Sequence, residues 1–125
     1  MKKVIYTPNA PEPIGPYSQA LLVGNTLYCS GQIPVNPQTG LVVEGGIEEQ
    51  TLQCIKNIEQ VLCAAGCDFS NVVKTTCFLA EMSDFAKFNE IYSQYFVSKP
   101  ARSCVAVKQL PKNVLVEVEV LAIVE

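Results

Sequence analysis

Residues 114–124 read Val-Leu-Val-Glu-Val-Glu-Val-Leu-Ala-Ile-Val, a run so rich in β-branched and aliphatic side chains that it is expected to form a long strand. Side chains alternate between the two faces of a strand, so both faces of this one are largely apolar. A sheet built around it therefore needs cover on each side, and the rest of the chain, or a second copy of it, has to supply that cover.

Upstream, the apolar positions Ile47, Thr51, Cys54, Ile55, Ile58, Val61, Leu62 and Ala65 recur at intervals of three and four. That spacing predicts a helix over Ile47–Ala65 with one broad apolar face, stopped by Gly66. A second helix is expected after Ser83 or Asp84 as cap, its inward side made of Phe85, Phe88, Ile91, Tyr92, Tyr95 and Phe96. Strands are expected at Lys3–Tyr6, Ser18–Val23, Thr26–Ser30, Val72–Leu79 and Arg102–Val107, besides the last one. Gly24-Asn25 reads as a two-residue hairpin turn. Asn9–Pro16, with its prolines and Gly15, reads as irregular, as does Gly31–Gly46. The order β-β-β-α-β-α-β-β, over one domain spanning residues 1–125, points to an α+β fold with two helices packed on one face of a mixed sheet.

Composition narrows the function classes. Only 17% of residues are charged against about 25% in an average soluble protein, so part of the surface is expected to lie in a subunit interface. The net charge is −3 and the nine basic residues are scattered, which argues against a nucleic-acid partner. No apolar run approaches the roughly 20 residues that span a membrane, and no segment reads as a signal peptide, so a cytoplasmic location is expected. There is no histidine and no C-x-x-C among the six cysteines. Zinc or haem ligation is therefore not expected, and most of the cysteines read as small buried hydrophobes.

Two features carry chemistry. Arg102 is the only arginine, and it begins an otherwise apolar strand two residues after Pro100. A guanidinium there needs an anion: either one of the twelve acidic side chains or a ligand carboxylate held through two parallel hydrogen bonds. Glu117 and Glu119 share one face of the last strand among apolar neighbours, surroundings that raise a carboxyl pKa toward the range useful for proton transfer. A solvent-facing stripe is the alternative. Gly15-Pro16-Tyr17-Ser18 and Cys29-Ser30-Gly31-Gln32 form two turns that could present a hydroxyl and backbone N–H groups.

Taken together, Ile14-Gly15-Pro16-Tyr17-Ser18-Gln19-Ala20, Ser30-Gly31-Gln32-Ile33-Pro34, Pro100-Ala101-Arg102-Ser103-Cys104-Val105-Ala106-Val107, Leu110-Pro111 and Val116-Glu117-Val118 resemble the Rid family of reactive intermediate deaminases, also called the YjgF family. The resemblance covers almost the whole chain. It implies a homotrimer whose three sheets face inward as a chorismate-mutase-like barrel, with ligand clefts between subunits. It also implies hydrolysis of 2-imino acids or their enamine tautomers to 2-oxo acids and ammonia, without cofactor or metal. Such imines are released by pyridoxal-phosphate enzymes acting on serine or threonine. Carried over by motif, Arg102 would bind the substrate carboxylate and Glu117 would position or activate water. Tyr17, Ser30 and Gly31 would line the cleft, Asn89 would approach from the second helix, and Cys104 would offer backbone contacts or its thiol. In the family the link before the arginine is usually longer; here only Val97-Ser98-Lys99 separates Phe96 from Pro100, and this loop is expected to border the cleft.

Three functions follow: an imine deaminase, a non-catalytic module that senses 2-oxo acids through the same arginine, and an RNA-directed ribonuclease or translation inhibitor. The acidic balance and the lack of histidine weigh against the last.

Overall fold

The computed structural model describes residues 1–125, in the element order β1 (Lys2–Ile5), β2 (Ala20–Val23), β3 (Thr26–Cys29), α1 (Ile47–Ala64), β4 (Val72–Leu79), α2 (Phe85–Tyr95), β5 (Ala101–Ala106) and β6 (Val116–Ile123). One sheet holds all six strands in the order β1-β2-β3-β6-β4-β5. Every pair is antiparallel except β4/β5, which α2 connects as a crossover. This is the α+β architecture with a mixed sheet that the sequence order implies. No helix is long and apolar enough to cross a membrane.

The two helices lie on one face. Val116, Val118, Val120 and Ala122 of β6 are buried with Ile55, Ile58 and Leu62 of α1 and Phe88 of α2 in a single core. The Gly24-Asn25 hairpin is present, Val23 pairing with Thr26. Asp84 stands at the start of α2 but makes no capping side-chain hydrogen bond; a 3₁₀ turn over Met82–Asp84 leads in, its Asp84 N–H bonded to the Glu81 carbonyl. Of the cysteines, Cys54 and Cys77 are buried, Cys29, Cys67 and Cys104 half-buried, and Cys63 exposed. The buried-hydrophobe reading therefore holds in full for only two.

The opposite face lacks a layer. The strand registers place Val4, Leu21, Tyr28 and Leu121 in one row across it. Val4 is 58% exposed and Tyr28 50%.

Buried amides fasten the irregular segments to this frame. Gln19 accepts from the Thr7 N–H at 2.7 Å and donates to the Thr7 and Pro11 carbonyls, each at 3.0 Å, which folds the Asn9–Pro16 segment against the end of β2. Asn57 sits on the apolar face of α1 and donates to the carbonyls of Ile33 and Val35 at 3.1 and 3.0 Å. The loop after β3 is held further by backbone bridges between Gln32 and Val118 and between Val35 and Val42.

Replacing Gln19 by leucine leaves a buried N–H and buried carbonyls without partners, each costing about 1–3 kcal/mol. Gln19→Leu is expected to lower the unfolding free energy by about 3 kcal/mol, read from urea denaturation. A loss below a few tenths of that would mean that the segment is held by other contacts.

Candidate functional site

Arg102 lies on the edge strand β5, level with Thr75 of β4, and its half-buried side chain turns toward α2. Its guanidinium sits over the Tyr92 ring, 4.7 Å from the centroid, and 5.4 Å from that of Phe85. One nitrogen donates to Asn89 Oδ1 at 2.6 Å. These partners are neutral, and no carboxylate is among them. Tyr92 is itself fixed from two sides: its hydroxyl bonds that of Thr75 at 2.7 Å, and its ring stacks on Phe96 at 4.2 Å. Burial raises the Tyr92 pKa, so the phenol stays protonated and neutral beside the cation.

The short link before Arg102 is a tight turn. Lys99 adopts φ 52°, a left-handed conformation costly for a residue with a side chain. Ser98 Oγ donates to the Val72 carbonyl at 2.9 Å, which pins the turn to the start of β4. As expected, this link borders a cleft: Val97, Lys99 and Pro100 line a cavity of about 570 Å³ together with Asn89, Tyr92 and Arg102.

Glu117 belongs to a second cleft of about 430 Å³, shared with Tyr17, Ser30, Gly31, Ile33 and Lys112. Burial, and then the nearby Glu119 carboxylate, push its pKa up from the ordinary carboxyl value. A β-bulge brings Gly31 to it. Tyr28 pairs with Leu121, yet Gln32 pairs with Val118, so four steps on one strand match three on the other. A Cβ on Gly31 would lie 2.0 Å from Glu117 Oε2. The backbone conformation does not demand glycine there; a side chain would instead have to displace the Glu117 carboxylate. Ser30 Oγ donates to the Ser18 carbonyl at 2.6 Å, and the Tyr17 hydroxyl accepts from the Ile14 N–H at 3.3 Å. Both hydroxyls therefore brace the turns as well as line the cleft.

Within one chain these two clusters do not meet. Arg102 is level with Thr75 and Val120, whereas Glu117 is level with Phe78. Three residues along the sheet and two strands across it separate their Cα atoms by roughly 14 Å. They also point to opposite faces, because Val120 and Thr75 are buried toward the helices and Glu117 alternates with Val116 and Val118. Cys104 shares the Arg102 face and lies level with the buried Cys77. Burial raises both thiols, Cys77 to about 12, so neither is an activated nucleophile.

Tyr92, Thr75 and Phe85 escape the sequence reading as site residues. Helical spacing correctly marks Tyr92 and Phe85 as inward, but periodicity carries no sign that a core ring also carries a cation. The signal that could have found Tyr92 is the coincidence of an aromatic one helical turn after Asn89 with a lone arginine downstream.

Comparison with known proteins places the chain in one family, whose members carry differing functional names, among them deaminase, endoribonuclease and regulator. A family model described as Endoribonuclease L-PSP matches residues 7–124. The human 2-iminobutanoate/2-iminopropanoate deaminase is 52% identical over 124 residues, covering 98% of this chain and 90% of that protein. A structure of a Rid-family protein from Yersinia pestis superposes with a TM-score of 0.96 at 52% identity, covering 99% of this chain and all of that one. TdcF of Escherichia coli, solved with bound serine, superposes with a TM-score of 0.93 at 39% identity, covering 98% of this chain and 99% of that one.

Two measurements test this geometry. A cation–π contact of this kind contributes about 0.5–2 kcal/mol, so Tyr92→Leu is expected to lower the unfolding free energy by at least that much, read from urea denaturation. Tyr92→Phe, which keeps the ring, should lose less; a Tyr92→Leu stability equal to wild type would show that the ring does not hold the guanidinium. A carboxyl with a raised folded-state pKa favours the folded form only while protonated. Its cost appears as pH climbs past the ordinary carboxyl value and is complete above the raised one. The Tm of Glu117→Gln should therefore gain on that of wild type as pH rises above the ordinary carboxyl value, and a difference independent of pH would contradict the shift.

Proposed function

The chain belongs to the Rid family, also called YjgF or L-PSP, and from that premise we propose that it hydrolyses 2-imino acids to 2-oxo acids and ammonia. The observation that carries the proposal is Arg102, a half-buried guanidinium oriented by an aromatic ring and an amide and left without a carboxylate partner. A substrate carboxylate would complete its fork with charge-assisted hydrogen bonds of about 1.5–3 kcal/mol each.

The reaction asks little more of the protein. Water adds across the C=N bond, the nitrogen takes up a proton, and the resulting carbinolamine expels ammonia as its carbon–nitrogen bond breaks. Glu117 is the group we assign to the water: its raised pKa makes it a better base than an exposed glutamate, and its conjugate acid can return the proton to the departing nitrogen. Ser30 and Gly31 would line the reacting end, Tyr17 would close over it, and Asn89 would hold Arg102. Cys104, a neutral thiol, would contribute space and backbone contacts rather than a nucleophile.

For Arg102 and Glu117 to act on one small molecule, they must come from different copies of the chain. The apolar row Val4, Leu21, Tyr28 and Leu121 supports this, since it needs cover that no part of the chain gives. We therefore propose a homotrimer with its sheets facing inward and its sites between neighbouring subunits. An RNA-directed activity, carried in the description of the family model, has less support: the chain is acidic overall and contains no histidine.

The test uses imine generated from threonine by a threonine dehydratase and trapped with semicarbazide. Wild-type protein should suppress the trapped product, whereas Arg102→Ala and Glu117→Gln should each lose about 10²-fold or more in kcat/KM. Tight binding of 2-oxobutanoate with no turnover would favour a carboxylate sensor instead. Co-refolding the two inactive variants in equal amounts should restore about a quarter of wild-type activity, because each site draws its arginine and its glutamate from two equally abundant chains. No recovery would place both residues in one subunit's site.

A further inference from the structure

A cavity of about 170 Å³ adjoins the Glu117 cleft and has no part in the hydrolysis just described. The two share Ile14, Tyr17, Gly31, Ile33 and Lys112 as common wall. Beyond that wall the cavity is mostly apolar, bounded by Pro11, Val35 and Pro37, with two glutamines and Glu12 as polar exceptions. The glutamines differ. Gln19 spends its amide on the Thr7 and Pro11 backbone. Gln32 is only 6% exposed, its backbone pairs with Val118 at 2.8 and 3.1 Å, and its side-chain amide has no hydrogen-bond partner in the chain. The one polar side-chain atom both unpartnered and fully enclosed is Thr51 Oγ1, so the Gln32 amide keeps access to the space beside it. An amide that no group of the chain satisfies, opening on a mostly apolar space, is free to pair with a polar group that enters the cavity. Lys112, on the common wall, adopts φ 56° and ψ 20°, a conformation rare for a residue with a side chain and frequent where function requires it.

We propose that this cavity is the side-chain subsite of the enzyme and that it takes an unbranched side chain ending in a carboxamide. The substrate class then includes imines of glutamine-like amino acids. The inference rests on the deaminase reading above, with the imine carbon facing Glu117 and the side chain passing between Tyr17 and Ile33. A cavity of about 150 Å³ admits a benzene ring, so two methylenes and a carboxamide fit the volume here. A carboxamide pairs with Gln32 in both directions, its oxygen accepting from Nε2 and its NH₂ donating to Oε1, and the apolar wall covers the methylenes. A terminal carboxylate would match only the donors and would meet the Glu12 charge. A site built to hydrogen-bond its substrate discriminates strongly against an analogue that lacks the group.

The experiment generates imines in place with an amino-acid oxidase from glutamine, methionine and 2-aminobutanoate, and follows their loss by semicarbazide trapping. Wild-type protein is expected to favour the glutamine imine over the methionine imine by at least about tenfold in kcat/KM. Gln32→Leu is expected to bring that ratio to about one; Gln32→Met serves if the leucine variant does not fold. A wild-type ratio of one or less overturns the proposal, as does a ratio unchanged in a folded Gln32 variant. Failure to consume even the 2-aminobutanoate imine would instead remove the deaminase reading, so the two failures are distinguishable.

Discussion

Burying Val116, Val118, Val120 and Ala122 beneath the two helices leaves β6 no freedom over where Glu117 and Glu119 go. Strand alternation sends both carboxylates to the uncovered face, side by side and among apolar neighbours. There, partial burial and mutual repulsion raise the Glu117 pKa, and the bulge after β3 sets Gly31 against it. Any slip of β6 by one residue would bury two glutamates under α1 and expose three core valines and an alanine, a change far beyond the few kcal/mol that hold a domain of this size together. The position of Glu117 is thus fixed by the same pattern that fixes the core.

Arg102 shows the complementary arrangement. Holding a half-buried cation with a carboxylate would neutralise it and close its fork to ligands. Two aromatic faces and the Asn89 amide orient it while leaving its charge intact. Each support is anchored in turn: Tyr92 by Thr75 and Phe96, and α2 by the tight Val97–Lys99 turn tied to β4 through Ser98. The free energy of placing the cation is met by packing that the fold needs in any case.

Much of this was legible in the sequence because the long elements have clear periods. The limits Val72–Leu79 and the start of α1 at Ile47 follow directly from apolar spacing, as does the inward side of α2. Gln19, Asn57 and Tyr92 were not legible in their actual roles. On a pattern of apolar and polar letters, a buried amide looks like an interruption of a face, when Asn57 in fact occupies that face and reaches across to loop carbonyls. The separation of Arg102 from Glu117 was equally hidden, since parity within each strand is visible in sequence but the register between strands is not. Only the pairings of β4 with β5 and β6 reveal that the two side chains leave the sheet on opposite sides.

That opposition links the uncovered sheet face to the chemistry. A single chain carries Arg102 on one side of its sheet and Glu117 on the other, so the proposed hydrolysis, which uses both, needs more than one copy. If copies associate through the apolar row that includes Tyr28 and Leu121, the surface that lowers the free energy of assembly is the one that carries Glu117. Assembly would then withdraw Glu117 further from water and raise its basicity in the same step that brings a neighbour's Arg102 within reach. Dissociation would undo both together, so activity and oligomeric state should be coupled rather than merely correlated.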